Sequence, residues 1–193
     1  MLPKQQIYAL CDFELLSKFG LSLEEYLEKL QSYDIVYIQY RDKVNPLHIQ
    51  KKNLHFLKTK TKTPLIINDN LELLKDADGV HIGQEDLKKL SKKMNLSREN
   101  TIKFIKKTNP KKKIGLSTHN ETEILEANGF DLDYIGLGAY RDTSTKDVSY
   151  VVGDKASYLA KISKHPVGLI GGVKVDDNVP NISYLVIGSG LLT

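Results

Sequence analysis

Short apolar runs and charged segments alternate along the chain. Eight runs rich in Ile, Val, Leu and Tyr have the length and composition of buried β-strands. They cover residues 7–11, 35–40, 65–69, 79–83, 114–117, 134–138, 166–170 and 184–187. Most are followed by segments with apolar residues at helical spacing, such as 23–33 and 154–164. This alternation predicts parallel β/α architecture.

Eight such units in a single domain over residues 1–193 favour a (β/α)8 TIM barrel over the alternative, an open doubly wound sheet. Residues 87–108 predict two helical pieces joined around 95–98. The sequence stops at Thr193, soon after the eighth strand, so we expect a barrel without its last helix. Either another part of the chain or the partner subunit of a homodimer would cover that side, or one face is left more exposed.

Composition excludes several classes of protein. Of the 193 residues, 40% are hydrophobic and 27% charged, as in a typical soluble globular domain. The formal net charge is only +4, and no aromatic-interleaved basic motif accompanies it, so we expect no nucleic-acid partner. No apolar run has the roughly 20 residues of a membrane span, and the N-terminus is too polar for a signal peptide. The single cysteine, Cys11, fits a cytoplasmic location.

Cationic residues follow two of the predicted strands, at the end where a barrel carries its active site. Gln39, Arg41 and Lys43 alternate past the second strand, so their side chains can share one face. Arg41 and Lys43, with Lys146 after the sixth strand, could neutralise a pyrophosphate. The competing interpretation of each residue alone is a solvated strand end.

Carboxylates follow the next two strands. Asn68 and Asp69 end the third strand, and Asp86 follows the fourth. Asp69 and Asp86 could hold Mg²⁺, which usually takes one or two protein carboxylates and keeps water or phosphate oxygens as its other ligands. The alternative for Asn68–Asp69 is ordinary turn chemistry. We interpret His81, on the fourth strand, as a structural histidine.

Hydroxyls and glycines follow the last three strands. The loop after the sixth strand carries Thr143, Ser144 and Thr145. The seventh and eighth strands run into residues 171–172 (Gly-Gly) and 188–190 (Gly-Ser-Gly), where barrels bind phosphate through backbone N–H groups, although each could be only a tight turn. Two anion sites in one cavity indicate a reaction that joins a pyrophosphate ester to a phosphorylated acceptor.

Several motifs resemble those of the thiamine-phosphate synthase and thiazole tautomerase superfamily, in the family's order across nearly the whole chain. They are QYRDK (39–43), IND (67–69), DGVHIGQED (78–86), GLST followed by His119, DYIGLG with TSTK (133–146), IGGV (170–173) and GSG (188–190). The runs GVHIGQED and Thr-x-Thr-Lys are fairly specific, whereas IGGV is common to many barrels.

The resemblance implies a Mg²⁺-dependent transferase that joins hydroxymethylpyrimidine, from its pyrophosphate, to thiazole phosphate. Pyrophosphate would leave first, and the thiazole nitrogen would capture the resulting cation without a protein nucleophile. Position by position, it implies Asp69 and Asp86 as metal ligands. The implied catalytic residues are Arg41, Ser117, His119 and Lys146. Those implied to bind the pyrimidine substrate are Gln39, Arg41, Lys43, Asn68, Ser117 and Lys146, with Tyr40 and Asp42 from the same motif. Those implied for thiazole phosphate are Thr143, Ser144, Thr145, Gly172, Gly188 and Ser189.

Two departures and two alternatives accompany this resemblance. The family usually has Gly-Pro and an aromatic residue before Thr-x-Thr-Lys, whereas here residues 138–142 read Gly-Ala-Tyr-Arg-Asp, and the segment 87–113 is longer than usual.

A thiazole tautomerase would use His119 to move a proton. A barrel that only binds phosphate ligands is the non-enzyme alternative. The intact Asp69–Asp86 pair and the Thr-x-Thr-Lys motif favour the synthase.

Overall fold

Eight parallel strands pair in the order of the sequence and close into a barrel in the computed structural model, which describes residues 5–142 and 151–192. The strands are β1 (Gln6–Asp12), β2 (Ile35–Arg41), β3 (Leu65–Asn68), β4 (Gly79–Ile82), β5 (Lys113–Thr118), β6 (Tyr134–Gly138), β7 (Val167–Ile170) and β8 (Tyr184–Ile187). Parallel pairing of β1 with β8 closes the sheet. The predicted (β/α)8 barrel is confirmed, and the open sheet was the wrong alternative.

Helices cover the outside of the barrel. Those in the described residues are α1 (Phe13–Phe19), α2 (Leu23–Leu30), α3 (Leu47–Lys60), α4 (Gln84–Met94), α5 (Arg98–Thr108), α6 (Glu121–Ala127) and α7 (Ala156–Ile162). Short 3₁₀ segments occupy Leu71–Asp76, Gly153–Lys155 and Ser189–Leu191. Up to residue 192, where the description ends, β8 is followed only by the last of these turns.

Local side-chain hydrogen bonds fix where several helices begin. The Ser22 hydroxyl accepts the N–H of Glu25, whose carboxylate accepts the N–H of Ser22, which is a complete capping box for α2. Asn120 caps α6, because its side-chain oxygen accepts the N–H of Glu123. The paired helices α4 and α5 match the two predicted pieces, but α4 begins at Gln84, directly after β4, because Gly83 is its N-cap.

Apolar side chains fill two layers. The larger layer lies between the strands and the helices and includes Leu54, Leu57, Ile102 and Ile124, all fully buried. A smaller cluster fills the barrel interior with Tyr8, Ile66, Tyr134 and Val186. None of the helices within 5–142 and 151–192 is long and apolar enough to cross a membrane.

Four tyrosines pack at the amino-terminal end of the barrel interior. Tyr134 and Tyr184 are the first residues of β6 and β8, and Tyr8 and Tyr37 join them from β1 and β2. The centroid of the Tyr8 ring lies 5.4 Å from that of Tyr37 and 5.8 Å from that of Tyr134, both edge to face. These rings form the floor of the barrel interior, below the carboxyl ends of the strands.

Candidate active site

Arg41 is held at the mouth of the barrel by a buried carboxylate. Asp12, the last residue of β1, is the register partner of Arg41 at the end of β2. One Asp12 oxygen accepts the N–H groups of Glu14 and Leu15 at 3.0 and 3.2 Å and so caps α1, while the other accepts Nη1 of Arg41. Asp12 thus fixes a cation that the sequence predicted, although Asp12 itself was not predicted as a site residue.

Asp69 is fixed by three polar contacts immediately after β3. Its φ is +58°, a left-handed conformation that is uncommon for a residue with a side chain. The backbone N–H donates to the carbonyl of His81 at 2.9 Å, and Oδ1 accepts the N–H of Gly83 at 2.7 Å. Oδ2 accepts the Lys43 ammonium at 2.6 Å. Lys43 and Asp69, both predicted for the site, are therefore in direct contact.

Asp86 lies beside Asp69, with Gly83 between them. A Cβ atom added to Gly83 would stand 3.2 Å from Oδ2 of Asp86 and 3.5 Å from Oδ1 of Asp69. No group of three or more His, Cys, Asp or Glu side chains suited to a metal occurs within residues 5–142 and 151–192. A pair of carboxylates fits Mg²⁺ nonetheless, because that ion keeps water and phosphate oxygens as its other ligands.

A chain of hydrogen bonds crosses the barrel interior from the floor to Ser117. Gln39 Nε2 donates to the Tyr8 hydroxyl at 3.1 Å, and the hydroxyls of Tyr8 and Tyr134 share a bond of 2.9 Å. Nδ1 of His81 lies 3.2 Å from the Tyr134 hydroxyl, and Nε2 lies 2.9 Å from Oγ of Ser117. The structural interpretation of His81 agrees with these two bonds. Burial lowers the pKa of His81 to about 4, so the ring is neutral near pH 7.

The backbone of Ser117 is supported from the helical layer. Gln84, the first residue of α4, donates Nε2 to the Ser117 carbonyl and accepts Nη2 of Arg98. Arg98 Nη1 also donates to the carboxylate of Glu126 on α6 at 2.6 Å. These contacts tie three helices to the end of β5, and sequence patterns gave no signal for them because they join residues that are distant in the chain.

His119 forms a dyad with Glu123 at the start of α6. The carboxylate of Glu123 accepts the backbone N–H of His119 at 2.8 Å and lies 2.9 Å from Nδ1 of its ring. The His119 side chain is 40% exposed. Glu123 therefore orients the imidazole and leaves Nε2 as the nitrogen that could exchange a proton with a ligand.

Glycine turns follow the last two strands. Gly171 and Gly172, after β7, have φ values of +90° and +63°. Both pack closely against the segment that follows β6, because a Cβ on Gly172 would lie 2.8 Å from Cβ of Arg141. Gly188 and Ser189 lie after β8, the neighbour of β7, so the two predicted glycine sites are adjacent in the barrel.

The remaining predicted site residues fall into three groups. Asn68 is partly buried, and its Nδ2 lies 3.4 Å from the His81 carbonyl. Tyr40 is 2% exposed in the layer outside the strands, and its hydroxyl donates to Asp42, which accepts the N–H groups of Val44 and Asn45. The structure therefore places Tyr40 and Asp42 away from the barrel interior. Four further residues predicted for the site lie outside the described residues, namely Thr143, Ser144, Thr145 and Lys146.

The fold and the residues at its rim, the carboxyl ends of the strands, define a class of protein. It is a (β/α)8 barrel with acidic, cationic and glycine groups at this rim. The family model described as thiamine monophosphate synthase matches residues 7–186, so the chain belongs to this family.

Curated relatives agree with this assignment. The chain is 33% identical over 173 residues to the thiamine-phosphate synthase of Persephonella marina, an alignment that covers 86% of this chain and 76% of the relative. It is 34% identical over 201 residues to the thiamine-phosphate synthase of Dictyoglomus turgidum, covering 96% and 83%.

Solved structures share the fold. A thiamine phosphate pyrophosphorylase from Pyrococcus furiosus superposes with a TM-score of 0.70 at 24% identity, covering 95% of this chain and 85% of that one. A mutant tryptophan synthase α-subunit from the same organism gives 0.64 at 10% identity, covering 98% and 89%. At these identities the likeness concerns the barrel alone.

Proposed function

We propose that the protein is a thiamine-phosphate synthase, a transferase that moves hydroxymethylpyrimidine from its pyrophosphate to thiazole phosphate and releases pyrophosphate. The observation that carries this proposal is the convergence of Asp69 and Asp86 beside Gly83, with Lys43 on the same carboxylate. Such a rim suits a substrate that carries several negative charges and a divalent cation.

Asp69 and Asp86 would hold Mg²⁺, which when bound supplies positive charge to stabilise the leaving pyrophosphate. Arg41 and Lys43 would bind the same group from β2, and Lys146 is proposed to do so from the loop after β6. Lys43 already pairs with Asp69, so its ammonium is close to the place where pyrophosphate would sit.

The pyrimidine ring would lie below the rim, because the ring and the pyrophosphate are joined through one methylene. The buried carboxamide of Gln39 and the hydroxyl of Ser117 offer donors to the ring nitrogens. Neutral His81 adds no positive charge there, so it would not oppose the cation that forms when pyrophosphate departs. No protein nucleophile is needed for the thiazole nitrogen to capture that cation.

Thiazole phosphate would bind at the glycine turns after β7 and β8. Gly172, Gly188 and Ser189 lie at neighbouring strand ends and can offer backbone N–H groups to a phosphate. Thr143, Ser144 and Thr145 are proposed to add hydroxyl donors.

The test mixes the purified protein with pyrimidine pyrophosphate, thiazole phosphate and Mg²⁺ and follows thiamine phosphate by chromatography. We expect product that disappears with EDTA and returns with excess Mg²⁺. Absence of product with both substrates and the metal present would overturn the synthase assignment.

The His119–Glu123 dyad favours a second candidate, a thiazole tautomerase. In this case the thiazole carboxylate phosphate would isomerise without metal, and His119→Asn would abolish that reaction because the oriented base is gone. In a synthase the same variant should keep most of its activity, and Thr122→Ala, at an exposed position of α6, serves as a control for effects on the helix.

Binding of both ligands without either reaction would favour a phosphate-binding barrel that is not an enzyme. The single domain over 1–193, the cytoplasmic location and the homodimer stay predictions.

A further inference from the structure

Arg141 is one of the charged residues that depart from the family's usual run before Thr-x-Thr-Lys, and its guanidinium has a defined partner. Nη1 and Nη2 donate to the two oxygens of Asp177, each at 2.7 Å, in a bidentate pair. Nη1 also donates to the carbonyl of Gly172 at 2.8 Å. The guanidinium carbon lies 4.2 Å from the centroid of the Tyr140 ring.

Asp177 is anchored on its own side. Its Oδ2 accepts the N–H of Lys174 at 2.7 Å, and its N–H donates to the carbonyl of Lys174 at 3.2 Å. Its side chain is only 12% exposed. The hydrogen bond from Arg141 lowers the pKa of Asp177, so the carboxylate is charged near neutral pH. Asp177 thus closes the turn that follows the glycine pair.

Backbone contacts join the same two segments. The N–H of Tyr140 donates to the carbonyl of Ile170 at 2.8 Å, and the N–H of Arg141 donates to the carbonyl of Gly171 at 3.0 Å. The chain after β6 therefore extends along the chain after β7. The Arg141 side chain adds one contact within the left-handed glycine pair, at Gly172, and two contacts after it, at Asp177.

We propose that Arg141 and Asp177 form a positioning pair that holds the Gly171–Gly172 turn in the conformation that binds the acceptor phosphate. This inference rests on the proposed function. We assign Arg141 to act through the backbone and not as a phosphate ligand, because Asp177 binds both of its terminal nitrogens and neutralises its charge. Asp177 thereby neutralises the positive charge of Arg141, a residue that departs from the family's pattern.

The two roles open to Arg141, positioning residue and direct ligand, predict opposite results for Asp177→Asn. If Arg141 positions the turn, Asp177→Asn and Arg141→Met each raise KM for thiazole phosphate by about tenfold, the effect of losing one charge-assisted hydrogen-bond pair. The double variant is then no worse than either single one. If Arg141 were a direct ligand, Asp177→Asn would release the guanidinium and leave KM unchanged or lower.

The experiment measures KM for each substrate, kcat, and the calorimetric Kd for thiazole phosphate. We expect KM for pyrimidine pyrophosphate and kcat to stay within about twofold, a split that general destabilisation would not produce. The exchange of both residues, Arg141→Asp with Asp177→Arg, should recover part of the lost affinity.

Lys60→Met is the matched control. Lys60 binds Glu24 at 2.8 Å and joins α3 to α2, with an exposure of 47% against 41% for Arg141. The Lys60→Met substitution should leave the KM values for thiazole phosphate and pyrimidine pyrophosphate unchanged. Thermal unfolding midpoints of all variants identify any that fail to fold, and Asp177→Asn, which conserves shape, keeps the test decisive if Arg141→Met does not fold.

Direct binding measurements distinguish failure of the synthase assignment from failure of the positioning pair. A wild-type protein that binds thiazole phosphate but makes no product would overturn the synthase, while weaker binding by both single variants would still support the positioning pair. Unchanged binding in Asp177→Asn, or no binding of thiazole phosphate by the wild type, would overturn the positioning pair itself.

Discussion

At the scale of single residues, Asp69 is the side chain that links Gly83 to Lys43 and lies beside Asp86. Its left-handed backbone and its bond from Gly83 set one carboxylate oxygen toward Asp86, while the other faces Lys43. The backbone contacts of Asp69 keep its carboxylate in place when a cation displaces the Lys43 ammonium.

Asp69→Ala should reduce Mg²⁺-dependent turnover by about a hundredfold or more, because one of two carboxylate ligands is lost. The fold should survive, as judged by circular dichroism and the thermal midpoint. Glu85→Ala, which removes an exposed carboxylate next to Asp86, should leave turnover unchanged. Turnover of Asp69→Ala at the wild-type rate would show that the metal assignment is wrong.

Lys43→Met should tighten divalent-cation binding in the absence of substrate, since the ammonium that competes for Asp69 at 2.6 Å is removed. The same variant should bind pyrimidine pyrophosphate more weakly. Titration with Mn²⁺ followed by electron paramagnetic resonance measures the first effect, and calorimetry the second. Lys51→Met, an exposed lysine on α3, is the control, and Mn²⁺ affinity that falls in Lys43→Met would contradict the competition.

Sequence alone predicted Arg41, Lys43, Asp69 and Asp86 because each ends or closely follows an apolar run. It missed Asp12, Tyr8 and Tyr134, whose importance depends on facing into the barrel. The alternation along β1 could have identified Tyr8 and Asp12 as inward-facing, given the barrel, since they lie an even number of positions apart. Tyr40 is the opposite case. It was predicted to bind substrate because it belongs to the QYRDK motif, but its side chain faces the helices.

At the scale of elements, the strands were predictable and the boundaries of some helices were not. Continuous apolar runs identify buried parallel strands with little ambiguity once eight of them recur. Helix α1 was missed because it follows β1 without an intervening turn, its start set by the Asp12 cap. The predicted helix over 23–33 ends at Leu30, where the chain turns toward β2.

Close packing between strands makes β5 sensitive to a single methyl group. A Cβ on Gly115 would lie 2.2 Å from Cζ of Tyr134, a ring that is buried and hydrogen-bonded. Gly115→Ala should therefore lower the free energy of unfolding by about 1–3 kcal/mol, as overpacking does. Urea denaturation measures this change.

Gly129→Ala is the matched control for that substitution. Gly129 is exposed, and the nearest contact of an added methyl would be the Glu126 carbonyl at 3.4 Å. It should change the stability little. Equal stability of the two variants would contradict the close packing of β5 against Tyr134.

At the scale of the whole molecule, His81 couples stability to pH. Burial lowers its pKa from 6.5 to about 4, although the Asp69 charge acts in the opposite direction. Between these two values the unfolded chain binds a proton that the folded protein does not, so stability falls as pH falls through this window.

We expect the wild type to lose roughly 2 kcal/mol more than His81→Gln between pH 7 and pH 5, a range in which most carboxylates stay ionised. Urea unfolding at several pH values measures the difference in slope. His48→Gln, on the exposed face of α3, should keep the wild-type slope. Parallel curves for wild type and His81→Gln would refute this linkage.

Closure of the barrel between β1 and β8 also has a consequence for how the protein is made. Of the eight barrel strands, β1 leaves the ribosome first, yet one of its two neighbours, β8, is the last of the eight to be made. Until Tyr184 and the residues after it emerge, the free edge of β1 presents unpaired N–H and C=O groups to other nascent chains. The period in which the free edge of β1 can contribute to aggregation therefore spans the synthesis of the whole barrel.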